Sequence, residues 1–350
     1  MKQPLELSPK CKMKLDCERY WNINRCLSYN CFLNEIVGNR SIGKTTQAEV
    51  WCVNRWINFG EEFIYTRRYK TETNKNKNLM ERFLDDTKTE GMGEGSYKWT
   101  LNKKTIGYTI PLSTAVTLKS VPFDNVNTII YDEAILQRGS NYRYLDDEVH
   151  VFFDFVSTVF RNRTKNIRVF LLGNNLDILN PYNEYFKVPN MIGSDLYVNR
   201  ERGLYIEYCK SAEELKREQE LTPLFALTKG TTYNQYAYDN NIFKDKEINL
   251  ERRDFKANLF GRLRINNNTL YLYLQGSRRL HVFVDLKEKA IDTSDTFIIM
   301  QDNNINYLNV KLLRKSNLFE VLRYNYYNNR CTYINDKAYL LLQQVMELFK

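Results

Sequence analysis

The sequence predicts an α/β fold built on a parallel sheet, and three observations predict it. Short apolar strands alternate with helical stretches from residue 32 to residue 172, the pattern of a sheet covered on both faces. Between the first strand and the first helix, Gly38-Asn39-Arg40-Ser41-Ile42-Gly43-Lys44-Thr45 fits G-x-x-x-x-G-K-[ST] without a gap. A later apolar strand, TIIY at 128–131, runs straight into the acid pair Asp132-Glu133. Together these specify a P-loop NTPase domain. The glutamate directly after the aspartate places it in the additional-strand catalytic-glutamate (ASCE) class, with a RecA-like sheet.

The elements follow in order. Residues 32–37 (FLNEIV) read as a strand and 38–43 as a turn. Residues 44–59 form a helix that Gly60 terminates, since glycine takes the left-handed cap conformation at little cost. FIYT at 63–66 is a second strand, 78–86 a helix, and 97–110 a hairpin around Asn102-Lys103-Lys104. VNTIIY at 126–131 is a strand, 148–162 an apolar-faced helix, and IRVFLL at 167–172 another buried strand. After Asn180-Pro181 the pattern weakens, with one helix near 211–221. Stretches 259–265, 269–274, 280–285 and 290–292 then read as an antiparallel meander, with a turn at Gln275-Gly276-Ser277. Helices are expected at 320–327 and 338–349. The expected organisation is a polar N-terminal extension (1–31), an ATPase domain (32–200), a linker or lid (201–243) and a second α+β domain (244–350).

Composition bounds the function. With 43% hydrophobic and 27% charged residues over 350 positions, the chain is a globular protein rather than a disordered or fibrous one. No apolar run is long enough to span a bilayer. The first residues, MKQPLELSPKCKMKLD, hold no apolar signal core, so a cytoplasmic protein with reduced thiols is expected. Cys11, Cys17, Cys26 and Cys31 cluster near the N-terminus, but no pair has the usual zinc spacing. Two histidines leave little room for a His-built metal centre or a Ser-His triad. The net charge is +9, and residues 244–350 hold 18 Lys and Arg against 12 Asp and Glu. Basic, tyrosine-rich usage points to nucleic acid, or to the codon bias of an A/T-rich genome.

The motifs carry the chemistry. Backbone N–H groups of a loop at a helix N-terminus form a nest for phosphate. Gly38, Asn39, Arg40, Ser41, Ile42, Gly43, Lys44, Thr45 and Thr46 are therefore the expected ATP-binding residues. Lys44 reaches the β- and γ-phosphates, and the Thr45 hydroxyl faces Mg²⁺. Asp132 would share the Mg²⁺ shell with Thr45, and Glu133 would polarise the attacking water. The strand at 167–172 ends in Gly173-Asn174, where Asn174 would orient the water or sense the γ-phosphate, unless it serves only the turn. Arg161 and Arg163 close a helix, where arginines are ordinary. The sharper reading is a finger that enters a neighbouring subunit's site. Arg67, Arg68 and Lys70 lie at a strand's carboxyl end and lead into Lys75 and Lys77. They are a solvated charge run or, in a nucleic-acid motor, candidates to grip phosphates without reading sequence.

In order, GNRSIGKT, FIYTRRYK, YTIPLS, NVNTIIYDE, STVFRNR and NPY resemble the DNA-packaging ATPases of phi-29-like tailed phages. The likeness is densest over residues 30–182 and continues more loosely to the C-terminus. It implies a terminase-like, ATP-driven motor that forms a homopentameric ring at the portal vertex and drives double-stranded DNA into a prohead. The implied cofactors are ATP and Mg²⁺. The implied partners are duplex DNA, further copies of the chain, the portal or connector and, on the C-terminal domain, a structural packaging RNA. The implied location is the host cytoplasm and, transiently, the prohead vertex. Lys44 and Thr45 match the family's phosphate loop, Asp132 and Glu133 its metal-binding and catalytic acids, and Arg161, with Arg163 second, its trans-acting finger. Arg67, Arg68 and Lys70 match a basic segment facing the DNA channel, and Lys119 a basic residue of the ring interface or pore.

The resemblance also implies an RNase H-like C-terminal domain. Cutting DNA there would need several carboxylates around two metals. Asp285 and Asp292 stand apart in a basic region, so nuclease activity is expected to be absent. Arg252, Arg253, Arg262, Arg264, Arg278 and Arg279 would instead present a basic surface. Two departures from the family stand out: Ser41 where glycine is common, and a longer N-terminal extension. The rival readings are another P-loop nucleic-acid motor, such as a helicase or initiator ATPase, and a nucleotide-gated scaffold that binds RNA or the portal.

Overall fold

A computed structural model describes residues 10–136, 143–174, 180–188, 194–229, 257–275, 281–286, 296–301, 304–328 and 330–349. The chain divides into two compact units, one of residues 1–177 and 193–242, the other of 178–192 and 243–350.

In the first unit the described elements are α1 (Ile23–Ser28), β1 (Leu33–Gly38), α2 (Lys44–Phe59), β2 (Glu62–Arg67), α3 (Lys70–Lys75), β3 (Lys88–Gly93), β4 (Ser96–Leu101), β5 (Lys104–Pro111), β6 (Val126–Ile135), α4 (Glu148–Phe160) and β7 (Arg168–Gly173). After α5 (Pro181–Phe186), which belongs to the second unit, come β8 (Leu196–Asn199), β9 (Leu204–Cys209), α6 (Glu213–Glu220) and α7 (Pro223–Thr228). The nine strands form one sheet in the order β3-β4-β5-β2-β6-β7-β1-β9-β8. From β5 to β9 every neighbour pair is parallel, and the antiparallel pairs lie at the two edges. The strand of the phosphate loop, β1, is thus separated from the acid-bearing β6 by β7. That inserted strand is what the adjacent Asp-Glu pair leads one to expect.

Alternation along the strands sorts side chains onto two faces. Phe63, Tyr65, Ile130, Phe170 and Leu172 share one buried cluster with Ala48 and Val53 of α2. Tyr131 points to the other face and stacks on Phe152 of α4 at 5.3 Å between ring centroids. Parallel strands put all their carboxyl ends on one edge, the usual place for a site in such sheets.

Three expectations about this unit need correction. The N-terminal segment is no loose polar extension: Trp21, Ile23, Cys26 and Cys31 belong to the core, and the Asn22 side chain caps α1. Residues 204–209 lie outside any linker, because β9 pairs with β1 in register Leu33↔Leu204 to Gly38↔Cys209. The helix expected at 78–86 is replaced by α3 and a 3₁₀ turn, Leu79–Arg82. The last part of the expected linker, 230–243, lies outside the described residues.

The second unit holds β10 (Asn258–Ile265), β11 (Asn268–Gln275), β12 (His281–Asp285), β13 (Thr296–Gln301), β14 (Asn304–Ile305), α8 (Tyr307–Arg314), α9 (Asn317–Tyr327), β15 (Cys331–Tyr333) and α10 (Asp336–Glu347). Its sheet has the order β14-β13-β10-β11-β12-β15. An antiparallel meander β10-β11-β12 is flanked by β13, which returns parallel to β10. This is the arrangement an RNase H-like sheet requires, although β14 runs antiparallel to β13. The strand expected at 290–292 lies outside the described residues, as do Arg252, Arg253, Arg278, Arg279 and Asp292. Arg264 is exposed, but Arg262 is 8% exposed and so contributes nothing to a basic surface. Helix α8 has no counterpart in the sequence-based expectations. None of the helices among the described residues is long and apolar enough to cross a membrane.

Candidate nucleotide site

The site forms where β1, β2, β6, β7 and β9 end. β1 leads into the loop, and Gly43 turns the chain into α2 with φ of +78°, a conformation that favours glycine. A Cβ on Gly43 would stand 2.8 Å from Cβ of Tyr20. A Cβ on Gly38 would meet the Cys209 carbonyl oxygen at 2.7 Å. Both glycines are therefore required by close approach. Ser41, where the family often has glycine, takes φ of +65°. Asn39 and Ile42 are buried, Arg40 and Ser41 are exposed, and Thr46 is half-buried on the first turn of α2.

Lys44 is 5% exposed, and its Nζ donates to the loop carbonyls of Gly38 (2.9 Å) and Asn39 (2.7 Å). Burial pushes its pKa down to about 8. The Thr45 hydroxyl donates to Asp132 Oδ1 at 2.9 Å, joining the loop to the end of β6. A hydroxyl and a carboxylate held this close are a hard-oxygen pair of the kind that suits Mg²⁺.

The basic segment after β2 is divided by the alternation of the strand. Tyr65 and Arg67 fall on the α2 face, and Arg68 falls on the α4 face. Tyr65 Oη donates to Asp132 Oδ2 (2.8 Å), and Arg67 reaches the same oxygen through Nη2 (2.6 Å). Arg67 Nη1 lies 2.6 Å from Glu133 Oε2. Burial works against the charge of Arg67, but Asp132, Tyr65 and Glu133 outweigh it and raise its pKa. Arg67, expected to contact DNA, is thus bound to the two acids. Arg68 is 2% exposed, and it bonds Glu148 through Nε (2.6 Å) and Nη2 (2.9 Å) and the Ala134 carbonyl at 2.8 Å. Glu148 is fully buried and also accepts from Tyr131 Oη at 2.9 Å. The expected DNA contact at Arg68 is therefore corrected: its donors serve a buried ion pair.

Glu133 departs from the strand. It takes φ of +55°, and the pairing of β6 with β7 slips between Asp132 and Ile135. A left-handed non-glycine residue costs about 1–2 kcal/mol, and here it turns the carboxylate off the sheet, where it meets Arg67. Asn174 follows the last residue of β7, half-buried, between the acids of β6 and the loop after β1.

The two arginines after α4 differ in kind. Arg163 donates to the carbonyls of Phe123 (3.2 Å), Asp124 (3.0 Å) and Val159 (3.1 Å) and to Asn127 Oδ1 (3.1 Å). It ties the helix to the start of β6 and is not a free finger. Arg161 is exposed, and its guanidinium meets no partner among the described residues. It precedes β7, at the amino end of the parallel strands, whereas the phosphate loop follows the carboxyl end of β1. Lys70 and Lys119 are exposed, on segments leaving the carboxyl ends of β2 and β5. Lys70 Nζ lies 3.2 Å from Glu94.

The N-terminal segment supplies parts that sequence reasoning missed. The Trp21 backbone N–H donates to the Ile42 carbonyl at 2.9 Å. Gln47 on α2 exchanges hydrogen bonds with the Asp16 backbone at 3.3 and 3.2 Å. Glu207 on β9 accepts from the Trp21 indole (3.0 Å), from Arg25 (3.1 Å) and from Tyr205 (2.8 Å). The apolar residues Trp21, Ile23 and Cys26 around a capping Asn22 were the available signal.

A phosphate loop, an Asp-Glu pair on another strand and one inserted strand between them define a P-loop NTPase of the ASCE class. The chain belongs to the family of podovirus DNA encapsidation proteins (Gp16), whose family model matches residues 15–341. It is 30% identical over 311 residues to the DNA packaging protein of Bacillus phage phi29, covering 86% of this chain and 91% of that protein. Its fold is similar to a chain of the bacteriophage Phi-29 viral genome packaging motor assembly, with a TM-score of 0.60 and 26% identity over 93% of this chain and 99% of that one. The Phi-28 gp11 DNA packaging motor shares the fold, with a TM-score of 0.53 and 16% identity over 93% and 97% of the two chains.

Proposed function

We propose that this protein is an ATP-driven translocase that packages double-stranded DNA into a preformed prohead, working as a homopentameric ring at the portal vertex. The observation that carries the reading is the Thr45–Asp132 hydrogen bond, 2.9 Å long, beneath a complete phosphate loop and beside Glu133. Lys44 and the loop amides of residues 38–46 would bind the ATP phosphates. Thr45 and Asp132 would hold Mg²⁺, which when bound offsets the charge of the phosphates. Glu133 would polarise the attacking water, for which its contact with Arg67 must loosen. Asn174 would sense or orient the reacting end.

Arg161 is the finger offered to the next subunit, since its exposed side chain, without a partner among the described residues, and its place at the amino end of the strands suit action in trans. Such a group contributes about 10³–10⁵ in turnover. Lys70 and Lys119 are the remaining candidates to touch the DNA backbone. The second unit would attach the motor to the prohead, through the portal or a structural RNA, and would not cut DNA.

The test is ATP turnover beside ATP binding. Glu133→Gln should retain ATP while turnover falls at least 100-fold, the low end of what a positioned acid or base contributes, about 10²–10⁴. Unaltered turnover would remove Glu133 from the reaction.

A further inference from the structure

One buried carboxyl beside the nucleotide site has no role in the account above. Glu49 lies one helical turn after Thr45 on α2, and residues four apart share a helix face. It is 1% exposed, and its Oε2 finds no hydrogen-bond partner among the described residues. Arg82, on the 3₁₀ turn, keeps its Nη1 3.7 Å away, beyond hydrogen-bond reach, and is itself half-exposed. Burial first, and then the charge of Asp132, push the pKa of Glu49 up to about 8, while Arg82 and Arg67 pull it down. Glu49 therefore feels the acid at the end of β6.

A buried carboxyl oxygen without a partner is uncommon and calls for a physical reason. A tether for Arg82 alone would close the gap to a hydrogen bond. The site suggests another use. Asp132 spends Oδ1 on Thr45 and Oδ2 on Tyr65 and Arg67. Mg²⁺ gives up its waters reluctantly and keeps several of them, and those waters need more acceptors than Asp132, already accepting three hydrogen bonds, can offer. We propose that Glu49 is a positioning residue of the magnesium site, its Oε2 accepting a hydrogen bond from a water of the hydrated ion held by Thr45 and Asp132. The inference rests on the reading of Thr45 and Asp132 as the Mg²⁺ pair. Outer partners of this kind typically change metal affinity 10–100-fold.

The experiment is ADP binding by calorimetry across a Mg²⁺ series and in EDTA, for the full chain, Glu49→Gln and Arg82→Ala. Glu49→Gln should raise the Mg²⁺ concentration for half-maximal effect about tenfold, with ADP affinity in EDTA unchanged. Arg82→Ala should leave the Mg²⁺ requirement in place. A Glu49→Gln value within twofold of the parent overturns the proposal. So does an Arg82→Ala shift as large as that of Glu49→Gln, because the ion pair would then be the cause. Should Glu49→Gln fail to fold, Glu49→Asp carries the same test, expected to shift the requirement more than twofold and overturning the proposal if it does not. A parent protein that binds no ADP at any Mg²⁺ concentration would instead defeat the nucleotide-site reading itself, a result distinct from the others.

Discussion

Two neighbouring arginines have opposite fates because one residue of strand turns a side chain through the sheet. Arg67 joins the acids of the nucleotide site, while Arg68 is buried against Glu148. Removing one partner of a buried ion pair leaves the other charge unpaired, at about 3–5 kcal/mol. Arg68→Ala should therefore lower unfolding free energy in urea by that order, and a change under about 1 kcal/mol would contradict the burial assigned here. Glu49 adds a pH signature. Its folded pKa of about 8 stands above the ordinary 4.5. The stability tied to its proton is fully present below the unfolded value and is lost as pH rises through the folded one. The melting temperature of the parent, relative to Glu49→Gln, should fall from pH 5 to pH 8 and level off above; parallel curves would contradict the assignment. At this scale the sequence was readable where chemistry is local. The phosphate loop and the Asp132-Glu133 pair stood in the chain as motifs. The partner of Arg68 did not, because Glu148 lies 80 positions away and only the packing of α4 on the sheet brings it near.

Among the elements, β6 and α4 decide the site. The slip in β6 at Asp132–Ile135 frees Glu133 from the strand, and the far end of α4 presents Arg161. Arg163 locks that end, with hydrogen bonds to carbonyls on both sides of residue 124. Arg163→Ala should thus lower stability by about 1–3 kcal/mol through lost and unsatisfied bonds. Arg161→Ala, at an exposed site, should stay within about 0.5 kcal/mol of the parent yet lose ATP turnover. Mixing Arg161→Ala with Lys44→Ala subunits should restore part of that turnover if the finger acts between subunits; no rescue in assembled rings would contradict it. The strand–helix alternation was legible over residues 32–172 because each buried parallel strand is an apolar run. β9 was missed because LYIEYC carries a glutamate and reads as mixed. Its Glu207 is satisfied by Trp21, Arg25 and Tyr205, residues of the N-terminal segment and of the strand itself. The order of strands, which sets β7 between β1 and β6, is a property of pairing and lies beyond local pattern.

For the whole molecule, the net charge of +9 had suggested nucleic acid without saying where. Part of the basic run at 67–70 now belongs to the ATPase machinery, which leaves Lys70 and Lys119 as the exposed candidates. Lys70 sits on the segment that leaves β2 beside the nucleotide site, so a change at the phosphates has a short path to a residue that would hold DNA. The central claim is that hydrolysis at this site moves intact duplex. The measurement that tests it most directly is protection of duplex DNA from nuclease after incubation with ATP, Mg²⁺ and the cognate proheads. The account predicts protected, still-paired DNA with the parent chain and none with Glu133→Gln. ATP turnover without protected DNA, or recovery of separated strands, would contradict it.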